Sequence, residues 1–169
     1  MTTLQTCLNY LDERGIRYAH TTHSPAYTAK EVAAAEHIPA HRMSKTVVCR
    51  DKDGYIMVVV PADSYVDLEQ LRTAIGVPTL YVAEESDLRL LFPNAQLGAM
   101  PTLGTLFGLA VYLDREVARQ EFIAFNAGTH RDVIHMRMAD FQHLVRPVIG
   151  DFCQSNYRLT ASSIASSVV

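Results

Sequence analysis

The sequence predicts one α+β domain, in which a mainly antiparallel, barrel-like sheet is surrounded by helices. Apolar, β-branched runs recur along the 169 residues, and segments with helical spacing interrupt them. The runs at residues 44–50 and 55–60 are joined by Asp51-Lys52-Asp53-Gly54, which is typical of a hairpin turn. Strands and helices do not alternate regularly, so a doubly wound parallel sheet is not favoured.

In the first half of the chain, helices are indicated by periodicity and by capping residues. Leu4, Leu8 and Leu11 recur at helical spacing before Gly15, and a short strand is predicted over residues 16–20. The sequence Thr28-Ala29-Lys30-Glu31 is a capping box, and we expect its helix to end at Pro39. After the hairpin, a helix is predicted over residues 67–75, with Gly76 as its stop.

The second half of the chain reads as short strands separated by loops. Strands are predicted at residues 80–83, 106–113, 121–126 and 133–138. A short helix is expected at 86–91, a loop at 94–105, and a last helix that Asp140 caps and that ends before Pro147. From Gln154 the chain is Ser-rich and lacks periodicity, so we predict one domain over residues 1–153 and a loosely packed tail over 154–169.

Composition excludes several classes of protein. No apolar stretch approaches the roughly 20 residues of a membrane span, and the N-terminus lacks a basic region followed by an apolar one. The net charge of −3 argues against extended contacts along DNA or another duplex. Cys7, Cys49 and Cys153 lie far apart and form no CxxC pair, which favours reduced thiols in a cytoplasmic protein.

Lys45 is the first candidate functional residue. It lies in Met43-Ser44-Lys45-Thr46-Val47-Val48-Cys49, at the start of an apolar run that predicts a buried strand. A lysine there must reach solvent, form an ion pair or shift its pKa. The pattern fits a functional site and a protective lysine at a strand edge equally well.

Two loops carry further candidate residues. The first loop contains two glycines, in Gly98-Ala99-Met100-Pro101-Thr102-Leu103-Gly104. Glycine has no side chain, so the backbone of this loop can approach a ligand closely, and the amides of the loop could bind a polarised carbonyl. Polar groups are presented at the tip of a predicted hairpin by Asn126-Ala127-Gly128-Thr129-His130. Ordinary turns are the alternative interpretation of both loops.

Other chemistries are less well supported. No His/Cys/Asp/Glu cluster has the spacing of a metal site, and neither a phosphate-binding loop nor a GxSxG motif occurs. A Ser44–Lys45 dyad would need a bend, because neighbouring strand residues point to opposite faces. A Schiff base on Lys45 remains a further hypothesis.

Four motifs, in this order, resemble the YbaK/ProX family, from about Thr22 to Phe152. They are Ser44-Lys45-Thr46-Val47-Val48, Val58-Val59-Val60-Pro61-Ala62-Asp63, Gly98-Ala99-Met100-Pro101 and Phe125-Asn126-Ala127-Gly128-Thr129-His130. Members of this family are freestanding deacylases of mischarged tRNA, similar to the editing domain of bacterial prolyl-tRNA synthetase. The resemblance implies a YbaK-like fold and hydrolysis of the ester between an amino acid and the terminal adenosine of tRNA, without a metal or a cofactor.

The resemblance also implies the residues of the site. Lys45 corresponds to the family's lysine, which holds the end of the substrate by a phosphate or carbonyl contact. The substrate-binding residues would be His23, Tyr27, Thr46, Gly98, Ala99, Met100, Pro101, Thr102, Asn126, Gly128, Thr129 and His130. In one respect the chain departs from the family's GxxxP loop, since Thr102 occupies the proline position and Pro101 comes one residue early.

The expected function is therefore a trans-acting aminoacyl-tRNA deacylase. Its substrate would be a small amino acid, such as alanine or cysteine, on tRNA for proline, selected by the size of the pocket near Met100. Phosphates of the acceptor end would be bound by a local basic margin, made of His41, Arg42, Lys45, Arg50 and Lys52. The alternative is a non-catalytic module that binds aminoacyl-tRNA or a partner aminoacyl-tRNA synthetase.

Overall fold

The computed structural model describes residues 1–155 and has a mixed α+β architecture. Its helices are α1 (Thr3–Glu13), α2 (Ala29–Ala35), α3 (Leu68–Ile75), α4 (Glu85–Leu91), α5 (Arg115–Ala118) and α6 (Met138–Val145). Its strands are β1 (Tyr18–Thr22), β2 (Ser44–Arg50), β3 (Tyr55–Pro61), β4 (Ser64–Val66), β5 (Tyr81–Val82), β6 (Ala110–Asp114), β7 (Phe122–Asn126), β8 (Asp132–Arg137), β9 (Val148–Gly150) and β10 (Cys153–Ser155).

The strands form three sheets. One has the order β1-β8-β7, the largest has the order β5-β2-β3-β6-β9, and β4 pairs with β10. Most pairs are antiparallel, as predicted, but β3 and β9 both run parallel to β6. The two larger sheets meet at the bridge between Met43 and Ala124, and within residues 1–155 they do not close into a barrel.

The predicted hairpin and the predicted helix caps at Thr28 and Gly76 are confirmed. β2 pairs with β3 from Ser44 opposite Pro61 to Arg50 opposite Tyr55, and Asp51 Oδ1 accepts hydrogen bonds from the amides of the turn. Thr28 accepts from the Glu31 amide at the start of α2. At the end of α3, Gly76 adopts a positive φ of 79°, which glycine tolerates without a steric penalty.

Several predicted boundaries are wrong, for local reasons. β1 begins two residues later than predicted, since its register is set by pairing with β8. α2 ends at Ala35, before Pro39, because the chain reverses at His37 with φ 58°. The first part of the predicted 106–113 strand is a 3-10 turn that ends at Gly108.

The end of the described chain also differs from expectation. Asp140 lies inside the first turn of α6, and the N-cap position is Arg137. Residues 153–155 form β10, so the first two residues of the predicted tail pair with β4. The rest of the predicted tail, 156–169, lies outside the described residues.

Three apolar clusters hold the elements together, and β2 contributes to two of them. The face of β2 that carries Val48 packs in the main core, against α1, α6 and the inner faces of β3, β6, β7 and β8. The face that carries Cys49 packs under α3 with Val58, Val60 and Phe152. The third cluster lies under α2 and includes Met43 and Ala124. No described helix is long and apolar enough to cross a membrane.

Candidate active site

Three separate segments that carry predicted site residues converge through backbone hydrogen bonds. The Gly128 amide donates to the Ala99 carbonyl over 2.8 Å, which ties the β7–β8 turn to the glycine loop. The Ala26 amide donates to the His130 carbonyl over 3.1 Å, which ties the segment between β1 and α2 to the same turn. Residues far apart in the sequence are therefore brought to one end of the three-stranded sheet.

Gly98, His130 and Tyr27 lie together where these segments meet. A methyl group built on Gly98 would lie 3.4 Å from a ring carbon of His130, and Gly98 itself has a positive φ of 85°. The rings of His130 and Tyr27 are 5.1 Å apart, and the Tyr27 side chain is exposed. The glycine allows the loop backbone to approach the histidine, as the sequence suggested.

The strand that carries Lys45 runs beside β7 into the same region. A parallel bridge joins Met43 to Ala124, and both side chains lie in the cluster under α2. Strand side chains alternate between faces, so Lys45 shares the face of Met43 and Asn126 shares that of Ala124. Lys45 and Asn126 therefore leave neighbouring strands on the same side.

Lys45 is half-buried and lies beside an aromatic ring. Its Nζ is 4.9 Å from the centroid of the Tyr65 ring, and no described carboxylate forms an ion pair with it. Burial is the main cause that lowers the pKa of Lys45, and the positive charge of Lys30 lowers it further. Asp63 and Cys153 act in the opposite direction on this pKa. The ammonium group is available for an anionic or carbonyl ligand.

The predicted site residues also carry unsatisfied polar atoms. Within residues 1–155, six buried side-chain nitrogen or oxygen atoms lack a hydrogen-bond partner, and one of them is Glu36 Oε1. The other five are His23 Nε2, Thr46 Oγ1, Thr102 Oγ1, Asn126 Oδ1 and His130 Nδ1. His23 Nε2 and Glu36 Oε1 lie 4.0 Å from each other. The remaining four atoms are free to bind a ligand or a water.

Not every predicted residue lies on the Lys45 side. Thr46 alternates to the opposite face of β2, with Ser44 and Val48. Met100 packs in the main core on that side, and Thr102 is fully buried. The Ser44 hydroxyl donates to the Ala124 carbonyl over 2.7 Å and so is engaged in the fold, which agrees with the argument against a Ser44–Lys45 dyad.

The residues of the predicted basic margin fall into two groups, at opposite ends of β2. His41 and Arg42 are exposed before the strand begins, whereas Arg50 and Lys52 are exposed at its far end. Six strand residues separate these ends by about 20 Å. Arg50 also lies 3.7 Å from Asp87 in an ion pair. Only His41 and Arg42 remain near the Lys45 end.

Three residues that sequence reasoning missed support the site. Gln96 accepts a hydrogen bond from the His130 amide through its side-chain oxygen, over 2.7 Å. Asp132 accepts from Thr129 and Thr22 and pairs with His20 at 2.7 Å. Tyr65 lies in β4 and places its ring centroid 4.9 Å from Lys45 Nζ. No periodicity or motif signals these roles, because each depends on a contact across the fold.

Replacing Asp132 with asparagine is expected to loosen the β7–β8 turn. Burial raises the pKa of this carboxyl group, but hydrogen bonds from Thr129 and His20 outweigh it and leave the pKa below its usual range. Since the folded-state pKa is the lower one, the stabilisation is complete above the unfolded value of about 3.9 and is lost as the pH falls through the folded value. We expect Asp132→Asn to lower the free energy of unfolding by about 1–2 kcal/mol at pH 7 and by less at pH 3.

Urea unfolding at both pH values measures this effect. Asp53→Asn is the matched control, because Asp53 is exposed at the hairpin tip and should change stability little at either pH. An equal loss of stability at pH 7 and pH 3 for Asp132→Asn would contradict the role of its charge.

Comparison with known proteins identifies the family. The family profile of the aminoacyl-tRNA editing domain matches residues 23–144, which is more than two thirds of the chain. The chain belongs to the aminoacyl-tRNA editing domain family. The resemblance to the YbaK/ProX family is thereby confirmed, and the matched range contains Lys45 and all three converging segments.

Similar structures share the fold of this editing domain. A proposed trans-editing enzyme for prolyl-tRNA synthetase superposes with a TM-score of 0.78 at 22% identity, covering 92% of this chain and 99% of that one. A hypothetical protein gives a TM-score of 0.79 at 17% identity, with coverages of 88% and 99%. These likenesses confirm the α+β fold class.

A curated relative is similar over a shorter segment. The proline–tRNA ligase of Thermosipho africanus is 30% identical over 61 residues, which are 36% of this chain. The match spans 11% of the length of that ligase.

Proposed function

We propose that this editing domain is a trans-acting aminoacyl-tRNA deacylase that acts in the cytoplasm. Its substrate would be tRNA for proline mischarged with a small amino acid, such as alanine or cysteine. The observation that carries the proposal is the cluster of unsatisfied groups: an unpaired, half-buried ammonium on Lys45, with the buried and unpartnered Oδ1 of Asn126 on the same side. Such groups lack partners until a substrate supplies them.

The reaction needs charge stabilisation more than a nucleophile. When water attacks the ester carbonyl, negative charge develops on the carbonyl oxygen, and preorganised donors lower that barrier. Lys45 would place its ammonium against this oxygen or against the neighbouring phosphate. The Gly98 loop would add a backbone donor.

The hydrogen bonds of the loop limit which amides can serve. The Ala99 amide donates to the Gln96 carbonyl, and the Gly104 amide donates to the Thr102 carbonyl. Pro101 has no amide hydrogen. Among the described residues, the loop amides that donate no backbone hydrogen bond are those of Gly98, Met100, Thr102 and Leu103. Gly98 lies against the His130 ring, so its amide is the proposed donor.

Selectivity would come from the size of the space next to the loop. Ala99 is buried in the loop and accepts the hydrogen bond from the Gly128 amide, so its side chain can limit the volume left for an amino acid. A single methylene group that does not fit costs roughly 1–3 kcal/mol, which corresponds to about 10–200-fold in rate.

A deacylation assay with a panel of charged tRNAs tests the proposal. We expect tRNA for proline charged with alanine or cysteine to be hydrolysed at least about tenfold faster than the same tRNA charged with proline. The measurement is the loss of labelled amino acid from tRNA over time, against a no-enzyme control. Binding of the charged tRNA without faster hydrolysis of any member would instead favour a non-catalytic binding module.

A further inference from the structure

A second concave region lies next to the proposed active site, on the side of Ala124 away from Asn126. This cavity has a volume of about 510 Å³, and its walls include Arg42, Gln120, Phe122, Ala124 and His135. Of the residues predicted to bind the substrate, it contains only Arg42, from the predicted basic margin. Its volume is within the range of ligand pockets in proteins.

An exposed aromatic ring forms part of the wall. Phe122 is the first residue of β7, and half of its surface is exposed. It pairs across the sheet with Arg137, whose guanidinium carbon lies 6.0 Å from the ring centroid. Exposed aromatic rings beside cationic groups are the platforms on which proteins stack unpaired bases.

Cationic groups surround this ring. Arg42 lines the cavity and is exposed, and among residues 1–155 neither Arg42 nor Arg137 forms an ion pair. Glu121 is a carboxylate in the wall, and Glu36 lies behind His135 at 3.3 Å. The unpaired guanidinium groups favour an anionic ligand such as a phosphate.

The cavity lies on the same face of β7 as Asn126 of the proposed active site. Ala124 lines the cavity, and Asn126 follows two residues later on the same face of β7, which is about 7 Å along the strand. Arg42 belongs to a short 3-10 turn, Ala40–Arg42. Gln120 donates a hydrogen bond to the His41 carbonyl over 2.7 Å, which holds this turn against the end of the sheet. Phe122 lies on the same face of β7, about 13 Å along the strand from Asn126.

We propose that this cavity binds an unpaired nucleotide of the tRNA acceptor end. The base stacks on Phe122, and its phosphate lies between Arg42 and Arg137. This inference rests on the proposed function, because it requires that the acceptor end lie beside Lys45. It adds a binding subsite for the nucleic acid, separate from the residues that would contact the ester.

Equilibrium binding of uncharged tRNA tests the subsite without requiring catalysis. The probes are a tRNA for proline and the same tRNA trimmed of its unpaired 3′ nucleotides. We expect Phe122→Leu to weaken binding of the intact tRNA about fivefold or more, and to leave binding of the trimmed tRNA unchanged. Arg42→Gln should reduce the slope of log affinity against log salt concentration by about one.

Matched controls separate the subsite from general surface effects. Tyr81→Leu removes another exposed aromatic ring, and Arg89→Gln removes another exposed cation; neither should change binding. The proposal is overturned if Phe122→Leu binds like Tyr81→Leu, if both tRNA probes weaken equally, or if the wild-type chain fails to bind intact tRNA at low salt.

The assay also distinguishes this inference from the proposed function. A chain that binds tRNA through Phe122 but hydrolyses no charged tRNA would retain the subsite and lose the deacylase assignment. If the wild-type chain and Phe122→Leu hydrolyse charged tRNA equally well, the deacylase assignment is retained and the subsite is lost. Because Phe122 is half-exposed, leucine is expected to preserve folding, and circular dichroism checks this.

Discussion

Replacing Lys45 with alanine is expected to abolish deacylation and to leave the fold intact. The ammonium group is the one cation that β2 places on the Asn126 side near the converging loops, and no described carboxylate neutralises it. If it stabilises the developing negative charge, its removal should lower the rate by about 10²–10³-fold. The measurement is single-turnover hydrolysis of the best substrate in the tRNA panel.

Three further variants make the result specific to the position of the charge. Lys45→Arg keeps the charge but changes its shape and reach, so we expect little recovery of activity. Lys45→Met keeps the apolar stem and should not lower the midpoint of urea unfolding, because burial already disfavours the ammonium. Lys52→Ala, at the far end of the hairpin, should retain full activity. A rate for Lys45→Ala within about threefold of the wild-type rate would remove this residue from the mechanism.

Replacing Gly128 with alanine is expected to have the largest effect on stability. Gly128 has a positive φ of 93°, and a methyl group there would lie 2.6 Å from Cβ of Thr3 and 2.7 Å from its Cγ2. The backbone conformation costs about 1–2 kcal/mol for a residue with a side chain, and overpacking adds about 1–3 kcal/mol. We expect the free energy of unfolding to fall by about 2–5 kcal/mol, with loss of activity because the turn also carries His130.

Gly15→Ala is the matched control for the backbone term. Gly15 has a positive φ of 65°, but a methyl group there would meet no atom within 4 Å. Its loss of stability should therefore be the smaller one, and the difference between the two variants isolates the contact with Thr3. Equal losses in denaturant unfolding would show that packing against α1 contributes nothing.

The local parts of the fold were predictable from the sequence. The hairpin around Asp51 was predicted because its turn residues and β-branched flanks act over a few positions, and the same holds for the caps at Thr28 and Gly76. The family was predictable too, since four short motifs occur along this chain in the order that the family has. The boundaries of β1 and α2 were not predictable from the sequence, because the pairing of β1 with β8 and the reversal at His37 are set by neighbours in space.

The site required the tertiary structure. The family resemblance placed Lys45, Gly98 and His130 in one site, but nothing in their spacing shows that hydrogen bonds join the loops or that a bridge places β2 beside β7. The supporting roles of Gln96 and Asp132 depend on the same contacts.

By itself, the sequence determined the chemistry available to this protein: a lysine at the head of a strand, and glycines where backbone must come close. Only the tertiary structure decided that Lys45 and Asn126 leave neighbouring strands on the same side, and that Met100 packs in the main core. The physical reason is that turns and caps depend on adjacent residues, whereas a site depends on contacts between distant segments. Those contacts are fixed by burial of the apolar faces that the segments share.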